Sequence, residues 1–203
     1  MLRYWPRFIC SLSLSSAALV SRGQAVTPLH TFFQQNYDST IVYQSGSNWN
    51  NSPHYMILAK HQQQLEFFTY TSPYRDVLGH YYPGRLARQI AREEAHFRAT
   101  IPDTNRYLLP KRIHPATLAH GWSQLQAHQL WLVQDDQQAP PTSRTCVVED
   151  GDENTFYLID KKTVKVARFY APAAKEECAG KDRNRQQALK AIATLRTLLQ
   201  NVQ

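Results

Sequence analysis

The sequence predicts an α+β protein: one or more antiparallel sheets with segregated helices, among them a C-terminal amphipathic helix, and one disulfide. Three observations lead there. Short β-branched and aromatic runs are separated by turn-forming residues. The last twenty residues place Leu189, Ile192, Leu195, Leu199 and Val202 on one helical face. Two cysteines, Cys146 and Cys178, remain once the first 25 residues are set aside.

Those first 25 residues read as an export leader. Arg3 and Arg7 give a positive start, Phe8 to Val20 is an apolar and small-residue run, and Gly23 and Ala25 suit a signal peptidase. The expected domain organisation is therefore a signal peptide over 1–25, cut before Val26, and one α+β domain over 26–203. The run is too short and too Ser-rich to span a bilayer, so no integral membrane segment is expected after cleavage. Cys10 lacks the small-residue context of a lipid-attachment cysteine. The expected location is exported, periplasmic or secreted.

The elements follow in order. Thr27-Pro28 reads as an N-cap with proline in the first helical position, and Leu29, Phe32 and Phe33 give that helix its apolar face. Asn36-Tyr37-Asp38 ends it. Thr40–Tyr43 reads as a strand. The polar SGSNWNNSP stretch, residues 45–53, reads as a loop, with Trp49 a minor surface candidate. Tyr55–Ala59 and Leu65–Thr71 read as strands joined at His61–Gln64. Leu65, Phe67 and Thr69 alternate with Glu66, Phe68 and Tyr70, so at least one face is buried.

Residues 73–84 form a long aromatic loop. The next segment fits a helix over Arg85–Arg98, with Leu86, Ile90 and Phe97 inward. Its second half also fits strand alternation through Ala95, Phe97, Ala99 and Ile101. Residues 102–105 turn the chain and Leu108–Pro110 is extended. Pro115 opens a helix with Leu118, Trp122 and Leu125 on one face, and Leu130-Trp131-Leu132 packs its end on the core. DDQQAPPTS, 135–143, is the least structured stretch and a candidate divider between two sub-regions.

Thr145–Val148, Thr155–Ile159 and Thr163–Tyr170 then form an antiparallel meander, turning at Asp150-Gly151-Asp152 and Asp160-Lys161-Lys162. Asp182 or Asn184 caps the final helix. An even cysteine count in an oxidising compartment predicts a Cys146–Cys178 bond that staples the loop before that helix.

Composition narrows the function classes. The charge is +7, and losing Arg3, Arg7 and Arg22 with the leader leaves +4. Basic and acidic residues are interspersed, whereas nucleic-acid binding needs a concentrated basic stripe, so no nucleic-acid partner is expected. No GxSxG, HExxH, Walker or GxGxxG motif is present. Glu93 and His96 sit at a ligand-like spacing, but one pair does not complete a metal site, and His114, His120 and His128 share no spacing that aims them together. Asp150, Asp152 and Asn154 resemble the start of a calcium loop, yet Thr155 and Lys161 stand where glycine and a bidentate Glu are required. No metal, cofactor or catalytic residue is assigned.

The aromatic loop supplies the candidate interaction surface: Tyr74, Arg75, Tyr81, Tyr82 and Arg85. Amphipathic rings beside guanidinium groups dominate binding hot spots.

Several stretches resemble a group of uncharacterised exported proteins of Gram-negative bacteria. They are Ser72-Pro73-Tyr74 with Tyr81-Tyr82-Pro83-Gly84, PDTNRYLLP at 102–110, EDGDENTFYLI at 149–159 and FYAPAAKEECAGKDRNRQ at 169–186. The resemblance implies export and one compact domain, and it carries over no site. The leading expectation is a non-enzymatic envelope binding or interaction module whose partner is an envelope protein or a ligand. The alternative is a small periplasmic hydrolase with a site assembled from distant residues.

Overall fold

The structure, a computed structural model, describes residues 26–47, 52–77, 80–136 and 146–202. The leader with Cys10, Trp49 and Thr145 lie outside the described residues.

Helix α1, Pro28–Asn36, starts as expected at Thr27. The Thr27 side chain accepts the His30 amide, and His30 accepts the Thr27 amide in return. Strands β1 (Ser39–Gly46), β2 (Tyr55–His61) and β3 (Gln64–Tyr70) follow. Helix α2 runs Gly84–Ala99, β4 is Leu108–Lys111, and α3 (Pro115–Leu125) is followed by the short α4 (Ala127–Leu130). Strands β5 (Glu153–Asp160) and β6 (Val164–Tyr170) precede α5 (Pro172–Cys178) and α6 (Arg183–Gln200).

The six strands form one antiparallel sheet in the order β4-β3-β2-β1-β5-β6. Ile41 of β1 lies opposite Leu58 of β2 on one side and Leu158 of β5 on the other. The stretch 135–143 therefore does not divide two sub-regions, because strands on both sides of it share one sheet. Asp136 explains the continuity: its carboxylate accepts the Tyr170 amide at 3.1 Å and pairs with Lys175 at 3.0 Å.

Both faces of the sheet are covered. Val42, Ile57, Tyr70, Tyr157 and Ile159 pack under Leu29 and Phe33 of α1 and Phe97 of α2. Ile41, Leu58, Phe67, Phe156, Leu158 and Phe169 pack under α3 and α6. A period of two sends alternate residues to opposite faces, so a strand covered on both sides needs apolar residues at nearly every position. Fully burying each large side chain contributes about 1.5–3 kcal/mol. Helix α6 turns Ala188, Ala191, Ile192, Leu195 and Leu198 inward, and Asp182 is its cap, accepting the Arg185 amide at 2.9 Å. Gly121 lets α3 approach α6 closely: a Cβ there would stand 2.9 Å from a Leu198 methyl.

The Cys146–Cys178 disulfide is present, with Cα atoms 5.7 Å apart. Its surroundings differ from expectation. Cys146–Val148 is not a strand, and Cys178 ends α5, a helix that the short AAKEE run concealed. The Ala95–Ile101 segment is helical to Ala99, since only Phe97 of the alternating set reaches the core while Ile101 is exposed. Leu86 and Leu132 are exposed as well, the latter because the chain turns after Leu130 and sends Val133 inward in its place.

Candidate functional site

A cleft of about 740 Å³ opens on the α6 side of the sheet, beyond the part that α3 and α6 cover. It exceeds the cavities beside α1 (about 440 Å³) and between the start of α5, the Val148–Asp152 segment and α6 (about 300 Å³), and it falls within the size range of small-molecule sites.

Strand register builds its floor. Tyr43, Met56 and Thr69 stand directly opposite one another across β1, β2 and β3. One row earlier, Ile41, Leu58 and Phe67 are buried under the helices. Next in the lining come Ser45 and Thr71, two residues after Tyr43 and Thr69, and His54, two residues before Met56 and ahead of β2, where its ring meets Phe97 of α2. The same face thus changes from apolar under the helices to hydroxyl-bearing where they end.

Cations stand around this floor: Arg75 from the 3₁₀ turn after β3, Lys111 from the end of β4, and Arg196 from α6. No carboxylate is among the described residues that line the cleft. Arg75 and Lys111 make no ion pair with any described residue, and Arg196 lies beside the Tyr43 hydroxyl. That hydroxyl donates to Asn154 Oδ1 at 2.6 Å. The Asn154 amide donates to the Asp152 carbonyl, so this residue serves the interior rather than a calcium loop.

Thr69 is only 6% exposed, and its hydroxyl has no hydrogen-bond partner among the described residues. A buried hydroxyl without a partner carries a desolvation cost of about 1–3 kcal/mol. His54 Nδ1 lies 2.9 Å from Thr71 Oγ1, and its ring packs 5.1 Å from that of Phe97. Burial, assisted by the charge of Arg75, pushes the imidazole down to about 4, so it is neutral near pH 7 and holds one donor and one acceptor.

The candidate surface from the aromatic loop divides. Arg75 joins the cleft, Tyr74 and Tyr82 are half-buried, Tyr81 is 92% exposed, and Arg85 stands exposed in the first turn of α2. Glu93 pairs with Arg106 at 2.6 Å instead of meeting a metal with His96, and His114 caps α3 by accepting the Ala116 amide. Among the described residues no group of three or more His, Cys, Asp or Glu could hold a metal ion. No helix among them is long and apolar enough to cross a membrane.

Apart from Arg75, sequence reasoning missed the cleft. Its one linear signal is the polar alternation within apolar strands, Tyr43-x-Ser45, His54-x-Met56 and Thr69-x-Thr71, whose members meet only through strand register. No protein-family model, curated protein or solved structure matches this chain.

Proposed function

We propose that this chain is an exported binding module that holds a small ligand in the cleft between the sheet and α6. The observation that carries this reading is the meeting of Arg75, Lys111 and Arg196, from three separate elements, over a hydroxyl-lined floor. Such groups recognise polar ligands by hydrogen bonds and charge. The sheet holds the floor rigid, so little ordering is required on binding. The leader-like residues 1–25 and the Cys146–Cys178 bond support export, because disulfides persist in oxidising compartments.

A hydrolase is the second reading, and one contact favours it. His54 lies against the Thr71 hydroxyl at 2.9 Å and feels the charge of Glu94, whose Oε2 is buried without a partner among the described residues. A Thr–His–Glu arrangement of this kind would make Thr71 the nucleophile and His54 its base.

Native mass spectrometry of protein purified from its own envelope fraction separates the two. A binding module retains a small molecule that Met56→Trp, which fills the cleft floor, abolishes. Empty protein before and after that substitution overturns the binding reading. Turnover of a p-nitrophenyl ester that Thr71→Val abolishes replaces it with the hydrolase.

A further inference from the structure

Taking the cleft as a binding site, we infer that its ligand is a multiply charged oxyanion, a phosphate ester by class, carried on a hydroxyl-bearing skeleton. Three features of the lining specify that chemistry.

The first is charge. Several cations elsewhere in the fold meet carboxylates: Arg98 pairs with Glu94, Arg106 with Glu93, Lys175 with Asp136, and Arg185 with Glu176. The cleft instead collects Arg75, Lys111 and Arg196 with no lining carboxylate among the described residues. Lone surface cations are ordinarily solvated and need no ligand. These three share one concavity, and Lys111 is half-buried. Like charges facing one cavity repel each other, and an anion between them removes the repulsion. A phosphate monoester carries about −1.5 to −2 charges and matches this excess better than one carboxylate does. Guanidinium groups bind its oxygens two at a time, and lysine adds a point charge.

The second feature is the floor. The Thr69 hydroxyl is buried without a partner among the described residues, and it lines the cavity. A ligand hydroxyl or ester oxygen would supply its missing hydrogen bond. Thr71 and neutral His54 beside it offer further donors and acceptors.

The third is size. A bare phosphate fills a small part of 740 Å³, and the remainder includes Met56 and Leu199, apolar enough to pack against the carbon face of a sugar or polyol.

The test titrates ¹⁵N-labelled protein, at low salt, with inorganic phosphate, glucose 6-phosphate and glucose. The expected result is amide shifts at Thr69, Thr71, Lys111 and Arg196 with both phosphates. Glucose 6-phosphate should bind at least about tenfold more tightly than either phosphate or glucose. Raising the salt should weaken it. Arg196→Gln and Lys111→Gln should each weaken it by about tenfold or more, and the melting temperature of Lys111→Gln should be unchanged, since Lys111 makes no ion pair with any described residue. Glucose binding as tightly as its phosphate, with the same shifts, overturns the anionic class and leaves the binding module standing. Phosphate-induced shifts confined to the arginines of α2 overturn the site. No response to any of the three overturns the ligand class, while retention of a different molecule in the native mass spectrum would preserve the binding reading.

Discussion

His30 and Thr27 cap each other: the His30 Nδ1 accepts the Thr27 backbone N–H at 3.2 Å while the Thr27 hydroxyl accepts the His30 N–H at 3.4 Å. Because Nδ1 accepts, the proton of the neutral ring sits on Nε2, which is buried without a partner among the described residues. The ring also packs 4.3 Å from that of Tyr157. Burial pushes this imidazole down to about 4.

Acid should therefore loosen the fold before the carboxylates titrate. The unfolded imidazole takes its proton near 6.5, the folded one only near 4. Between those values the unfolded chain binds more protons, so stability rises with pH there and is lost as pH falls through the window. The His30 contribution is about 3 kcal/mol, and His54 acts in the same direction. Thermal melts from pH 7 to pH 4 should show a steep fall that His30→Gln makes shallower. A level melting temperature across the window would refute this account.

Thr69→Val keeps the side-chain volume and removes the unpartnered hydroxyl. Without ligand the variant should be as stable as the parent or more stable by about 1 kcal/mol, since a buried unsatisfied group is lost. Its ligand affinity should fall. A destabilised variant in chemical denaturation would show that the hydroxyl has a partner in the protein.

Cys146 and Cys178 enclose β5, β6 and α5, at a sequence separation of 32. Replacing both by Ala should cost about 3–4 kcal/mol by the chain-entropy argument. That corresponds to a fall in melting temperature of about 10 °C for a chain of this size. Thiol titration of native protein should find neither cysteine free, and two reactive thiols would contradict the bond.

Tyr81 is 92% exposed, whereas Tyr82 is half-buried. Tyr81→Ala should change stability by less than about 0.5 kcal/mol, and Tyr82→Ala should cost more. If the loop is an interaction surface, Tyr81→Ala should also weaken capture of a co-purifying envelope component while its melt is unchanged. Equal capture by both proteins would remove Tyr81 from that role.

Protein recovered from the envelope fraction should have the intact mass of a chain starting at Val26. A product that retains Met1, or that carries lipid on Cys10, would overturn the proposed export route.

Much of the fold was legible because its signals are local. Thr27-Pro28 announces α1, the alternation in Leu65–Tyr70 announces β3, and the spacing of Ile192, Leu195 and Leu199 announces α6. The disulfide followed from a cysteine count. Where local signals compete, the sequence was silent or misleading. Ala95–Ile101 satisfies both periods, and packing of Phe97 against Tyr70 and Tyr107 decides for helix. Cys146–Val148 has strand-forming residues but gains no partner strand, because β5 pairs with β1 and β6 and leaves no place in the ladder. The cleft belongs wholly to tertiary structure. Tyr43, Met56 and Thr69 become neighbours through register, and Lys111 and Arg196 reach them from β4 and α6. Periodicity determines which face a residue takes within its own element. Only the pairing of strands and the place where helix cover ends decide which of those faces meet solvent together.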